Sequence, residues 1–228
     1  KKEGRFIVTS ELAPRIQRPA TTFGLDPKAD IHPQSFRTNG LTSEIELDGI
    51  TLKLPLPGRG SILNTLAVWA VCKENGFTLK EFAQALKSLP PVSMRAEIIK
   101  IADSTIINDC YNANPASMEN ALDIGSDLSL KKNTRFVFIC GDMAELGEHS
   151  KFYHNRLAEQ ICRNNVQLLI TVGSQSAKAA KKAKTDSKNS LEIISFANAP
   201  QAAENMANLL KNGDIILIKG SRSNKLEL

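Results

Sequence analysis

Several things are scarce in this sequence, and each scarcity excludes a class of protein. Four cysteines occur in 228 residues, Cys72, Cys110, Cys140 and Cys162. None stands in a CxxC or other knuckle spacing, which argues against a disulfide scaffold or structural zinc and for reduced cytosolic thiols. Of three histidines, His149 and His154 are near each other but five apart, not the four that align ligands on one helix face. No metal site is expected within the chain. Aromatics are 5% of residues, and none interleaves the one local basic run, Lys178, Lys181, Lys182 and Lys184 in SQSAKAAKKAK. That run reads as a solvated helix face, because single-strand binders place stacking rings beside their positive groove. With a net charge of only +5, no nucleic-acid partner is expected. There is neither a cationic and apolar leader nor an apolar run near the ~18 residues that span a membrane. A cytoplasmic protein without membrane insertion is the expectation. The triphosphate cradle GxxxxGK[ST], the dinucleotide fingerprint GxGxxG, the GxSxG elbow and HExxH are all missing.

What is present is an ordinary globular composition, 42% hydrophobic and 23% charged, long enough for one large domain or two modest ones. The apolar run Phe6 to Val8 lacks a preceding element to shield it, so the opening reads as a domain begun midway. IELDGITLKL places two alternating runs around Asp48-Gly49, a β-hairpin over 44–54. Pro55, Pro57 and Gly58 break that strand; helical spacing runs from Ile62 to Asn75, with Gly76 as its C-terminal cap. Thr78 and Glu81 form a capping box for a second helix through Leu89. Pro90-Pro91 ends the pair, dividing the chain into domains 1–91 and 92–228. Beyond it, strands at about 96–101, 105–109, 135–140, 166–171, 191–196 and 214–218 alternate with helices at 115–128, 150–163, 174–184 and 199–210. Such alternation implies right-handed crossovers and a largely parallel sheet. The fold class is therefore α/β, and the Lys- and Ser-rich KKAKTDSKNS reads as a solvent-facing loop.

Ligands of parallel sheets gather beyond the carboxyl ends of the strands, and three polar clusters fall there. Asp109-Cys110-Tyr111-Asn112-Ala113-Asn114 leads into a helix with Pro115 at its first position, a loop suited to polyols or phosphates. Equally, Asn114 suits a plain N-cap. Gly141-Asp142-Met143-Ala144-Glu145-Leu146-Gly147-Glu148-His149 crowds three carboxylates and a histidine into a strand-to-helix loop. It suits a cationic group, or else its acids merely favour the following helix N-terminus. Lys219, before Gly220-Ser221-Arg222, is a point charge for an anionic group or a surface strand end.

Together, NDCYNANPASMENAL, FVFICGDMAELGEHSKFYH and GDIILIKGS closely resemble the C-terminal domain of the peptidoglycan-building Mur ligases. YNANP followed by SM, and GDMAELGEHS followed four residues later by His154, resemble the branch that adds a dipeptide and not those that add single amino acids. Upstream, LPLPGRGSILNTLAVWAV resembles the end of the family's central ATPase domain and SMRAEI the junction to its last domain. The resemblance implies a Rossmann-like C-terminal domain with a mainly parallel sheet, preceded by a partial α/β central-domain remnant holding the hairpin and two helices. It implies an ATP-dependent ligase, working as a monomer, whose substrates are UDP-N-acetylmuramoyl-tripeptide and D-alanyl-D-alanine. ATP activates a carboxylate as an acyl phosphate that the dipeptide amine attacks. The P-loop and the ligands of Mg2+ would lie upstream of Lys1, so this chain is expected to be an incomplete portion, inactive alone.

By the same resemblance, Asn64 contacts adenine, Arg95 lies near the phosphates, Asp109 holds ribose, and Tyr111 lies beside the nucleotide. Arg95, Asn112 and Lys219 are the catalytic candidates, and Asn112, Asn114, Asp142, Glu145 and Ser221 the substrate-binding ones. Two departures stand out. Gly60 and Ser61 follow Gly58-Arg59 where the family usually has histidine after Gly-Arg, and Arg222-Ser223-Asn224-Lys225 follow the strand where relatives commonly carry asparagine, glycine and a further basic residue. Two alternatives stay open, a non-catalytic α/β interaction module derived from a Mur ligase and a sibling ligase adding a different amino acid.

Overall fold

A computed structural model describes residues 4–90, 92–186 and 191–227. The chain divides into two compact units, Lys1–Pro90 and Pro91–Leu228.

In the first unit, β1 (Phe6–Thr9) pairs in parallel with β2 (Ala20–Phe23), while β3 (Ser35–Thr38), β4 (Ser43–Leu47) and β5 (Ile50–Leu54) form an antiparallel sheet. The hairpin turns at Asp48 and Gly49, φ 47° and 72°, the doubly left-handed turn that Asp-Gly favours. The alternation of β4 and β5 puts Ile45, Leu47, Leu52 and Leu54 on one buried face. Against that face pack α1 (Gly58–Glu74), through Ile62, Leu66 and Trp69, and α2 (Leu79–Leu86), through Phe82 and Leu86. The Trp69 and Phe82 rings lie 5.3 Å apart. Fully burying each such side chain contributes ~1.5–3 kcal/mol, so this unit has a core of its own. Thr78 and Glu81 make the reciprocal capping box, and Gly76 follows α1 with φ 85°. Strands β2 and β3 have no counterpart in the sequence reading, because ATTF and SFRT are short and polar enough to read as loop. Helix α1 also starts earlier than its periodicity implied, at Gly58, whose φ of 84° turns the chain from extended Pro57 into the helix.

In the second unit, six strands lie in the order β10-β9-β8-β11-β7-β6. They are β6 (Glu97–Ile101), β7 (Ser104–Asp109), β8 (Phe136–Gly141), β9 (Leu168–Val172), β10 (Glu192–Phe196) and β11 (Ile215–Lys219). All neighbours pair in parallel except β6, an antiparallel edge strand on β7. Strand β8 is buried throughout and β9 likewise, which is why both read as unbroken apolar runs. Helices α3 (Pro115–Lys132), α4 (Ser150–Arg163) and α5 (Ser174–Asp186) pack side by side, with Gly125 of α3 against the Phe136 ring. Helix α6 (Ala199–Leu209) packs through Ala199 and Ala202 onto Val137 and Ile139. Neighbouring residues of a strand face opposite ways, so Phe136 and Val137 place α3 and α6 on opposite faces. Helix α3 runs on to Lys132, where left-handed Asn133 (φ 51°) ends it. Of KKAKTDSKNS, read as a loop over 181–190, residues 181–186 instead continue α5, whose Ala183 is buried, and 187–190 lie outside the described residues.

Candidate functional site

The carboxyl ends of β7, β8 and β11 lie side by side in the second unit, and parallel register sets Lys219 directly against Asp109 on one neighbour and Cys140 on the other. A cleft of about 440 Å³ opens there, lined by Tyr111, Asn112, Ala144, Glu145, Ser221, Arg222 and Ser223. Three loops build it.

The first follows β7. Cys110 and Ala113 are buried and anchor the loop, leaving Tyr111 and Asn112 exposed between them. Asn114 caps α3: its Oδ1 accepts from Ser117 N at 2.8 Å, and its own N–H donates to Ser117 Oγ at 3.0 Å. Over the Tyr111 ring sits the Arg95 guanidinium, 4.2 Å from the centroid, with that of Arg222 at 5.6 Å. Two like charges share one ring, whose electron-rich face offsets part of their repulsion.

The second loop follows β8. Asp142 accepts from Ser176 N (2.7 Å) and Gln175 N (3.1 Å) at the start of α5, a carboxylate on a helix N-terminus. Gly173 leaves room for it, since a Cβ there would fall 2.7 Å from the carboxylate. Met143 N donates to His154 Nε2 at 3.2 Å, and His154 Nδ1 contacts Ser150 O at 2.8 Å. With Nε2 accepting from the loop and Nδ1 against the Ser150 carbonyl, the buried ring bridges loop and helix. Glu145 then turns outward in the left-handed region, φ 60°, a conformation that non-glycine residues adopt at some cost.

The third loop follows β11 and is sewn to the second. Ser221 N donates to Asp142 O at 3.0 Å and Ser221 Oγ accepts from Ala144 N at 2.8 Å. Asn224 accepts from Asp142 N through Oδ1 (3.0 Å) and donates to Asp142 O through Nδ2 (2.9 Å). The amide thereby pairs with Asp142 as a neighbouring strand would. Lys219 is 1% exposed, and its Nζ donates to Asp109 Oδ2 at 2.6 Å.

Arg95, Asp109, Tyr111, Asn112, Glu145, Lys219 and Ser221 therefore gather at one end of one sheet. Asn114 and Asp142 stand beside them with side chains occupied by helix caps. Asn64 lies exposed on α1 of the first unit. Arg222, Asn224 and His154 had no role assigned from sequence. Their signal was position, directly after a strand end or a fixed distance beyond one. The four cysteines are free thiols. Burial pushes the Cys110 and Cys140 thiols up from their ordinary range, disfavouring the reactive thiolate.

Residues 94–222 match the family model described as Mur ligase, glutamate ligase domain. A UDP-N-acetylmuramoyl-tripeptide--D-alanyl-D-alanine ligase of Buchnera aphidicola subsp. Baizongia pistaciae is 32% identical over 213 residues, 90% of this chain and 44% of that protein. The protein of the same name in Treponema pallidum is 30% identical over 187 residues, covering 81% and 39%. A crystal structure of MurF from Acinetobacter baumannii superimposes with a TM-score of 0.82 at 23% identity, over 100% of this chain and 51% of that one, a likeness of fold. MurF ligase from Thermotoga maritima in complex with ADP gives 0.76 at 25% identity, over 100% and 52%. The chain spans about half the length of these relatives.

Proposed function

This chain belongs to the Mur ligase family, and we propose that within its full-length protein it supplies the C-terminal half of an ATP-dependent amide ligase joining D-alanyl-D-alanine to UDP-N-acetylmuramoyl-tripeptide. The observation that carries this is the cleft itself, which holds a carboxylate, Glu145, and a guanidinium, Arg222, on one wall system. A free dipeptide is a zwitterion, and a site with one group of each sign suits its two ends. Arg222 receives the carboxylate as a planar fork, Glu145 receives the ammonium, and Asn112 and Ser221 supply neutral hydrogen bonds between. A cleft of this volume falls in the ordinary range for small-ligand sites.

ATP, when bound, supplies the phosphoryl group that activates the accepting carboxyl. The donor set suits an anionic nucleotide. Arg95 presents an exposed guanidinium to phosphate oxygens, and Asp109 keeps 20% of its side chain exposed for a ribose hydroxyl. Asn64 offers an exposed amide to a base edge. Among the described residues, no group of three His, Cys, Asp or Glu side chains is placed to hold a metal ion such as Mg2+. Catalysis by such a site is mainly positioning and charge neutralisation. No helix among the described residues is long and apolar enough to cross a membrane.

The test is a steady-state comparison in the full-length protein. Arg222→Ala and Glu145→Gln are each expected to raise KM for D-alanyl-D-alanine by about tenfold or more while KM for ATP stays within about twofold. Unchanged dipeptide KM in both variants contradicts the assignment of the cleft.

A further inference from the structure

We propose that Lys219 is a positioning residue, one that shapes the cleft from beneath without touching substrate. An ammonium has three N–H donors. Those of Lys219 face Asp109 Oδ2 at 2.6 Å, Asn112 O at 3.0 Å and Asp109 O at 3.4 Å. With 1% of its surface exposed, it has neither a spare donor nor a path to a phosphate or carboxylate in the cleft. What it does hold is the loop that lines the cleft, at the Asn112 carbonyl and at both the backbone and side chain of Asp109.

The hold extends one layer further. Asp109 Oδ1 accepts from Ala96 N at 3.0 Å, and Tyr111 N donates to Met94 O at 3.1 Å. Met94 and Ala96 both adopt positive φ, 58° and 50°, conformations that persist in non-glycine residues only where surrounding contacts fix them. Arg95 sits between them and reaches over Tyr111. Arg95, Tyr111 and Asn112 thus ride on one hydrogen-bonded frame with the Lys219–Asp109 pair at its centre. Burying a charge is unfavourable unless it is paired and fully hydrogen-bonded, and this pair meets both conditions by crossing from β11 to β7. A methionine at 219 keeps the volume and abolishes all three donors.

This inference rests on the dipeptide reading of the cleft, so its test has one readout that does not. In the full-length protein, Lys219→Met is expected to speed amide exchange about tenfold or more in 94–96 and 110–113, while β8 and β9 stay protected. In turnover, the same variant is expected to raise KM for D-alanyl-D-alanine about tenfold and leave KM for the UDP-linked tripeptide within about twofold, a split that general destabilisation does not produce. Adding Asp109→Asn to Lys219→Met is expected to leave amide exchange in 94–96 and 110–113 little faster than in Lys219→Met alone, because the two residues hold that frame as a unit. Unchanged exchange with a collapse of kcat at constant KM overturns the proposal, since that is the signature of a group on the reacting phosphate. Exchange accelerations in those segments that multiply in the double variant overturn it too. Should Lys219→Met prove insoluble, the near-isosteric Asp109→Asn alone must show faster exchange in the same segments, and normal protection there overturns the proposal. If exchange responds as expected but the wild-type protein shows no dipeptide-dependent turnover, the positioning role stands and the dipeptide reading falls.

Discussion

Asn114 spends its side chain on the helix it precedes. The reciprocal bonds with Ser117 satisfy donors that α3 otherwise leaves open, and Pro115 at the next position removes another. Asn114→Ala is therefore expected to cost ~1 kcal/mol, whereas Asn114→Asp, still cap-competent, stays within a few tenths. Thermal denaturation checks this, and equal melting points for the two variants would contradict it. Much of the site is legible in the sequence at this scale, because a polar cluster after an apolar run marks a strand's carboxyl end. Asp109, Tyr111, Asn112, Glu145 and Ser221 are all found that way. What sequence leaves open is which polar groups are spent internally. Asp142 and Glu145 stand three residues apart in one acidic loop, yet the first is consumed by the start of α5 and the second faces the cleft. That difference depends on Gly173, more than thirty residues away, leaving room for the carboxylate.

Elements show the same division between local and distant causes. Strand β8 and the hairpin of β4 and β5 are plain in the sequence, the one as an unbroken apolar run, the other as alternation around Asp-Gly. Strands β2 and β3 are not, since each is only four residues long with a mixed, polar make-up, and its extended form is set by pairing with β1 or β4 and not by its own propensity. Helix α3 illustrates packing that periodicity cannot report. Gly125 looks like a mild defect in a helix, but its missing side chain is where the Phe136 ring of β8 sits. In an open helix Gly→Ala gains up to about 1 kcal/mol. Here the added methyl meets the ring, so Gly125→Ala is expected to destabilise by ~1–3 kcal/mol net of that gain. Urea unfolding of the chain decides the sign, and a stabilised variant would show that β8 and α3 have room to separate.

At the scale of the molecule, the largely parallel pairing of the six strands follows from alternating strands and helices together with right-handed crossovers. The clustering of site residues follows in turn, because parallel strands bring their carboxyl ends to one edge. The order of the strands was not legible, for nothing local says that β11 inserts between β7 and β8. That insertion is what brings Lys219 to Asp109 and Ser221 to Ala144, and so makes one cleft from three loops distant in sequence. We propose that this cleft belongs to a ligase that accepts a dipeptide. Its most direct test is phosphate release by the full-length protein with ATP and UDP-N-acetylmuramoyl-tripeptide, measured with and without D-alanyl-D-alanine. Release is expected to depend on the dipeptide, to fail when single amino acids replace it, and to be lost in Asp109→Ala, with the 228-residue chain silent alone. Turnover with a single amino acid in place of the dipeptide, or none at all from an intact protein that binds ATP, would contradict it.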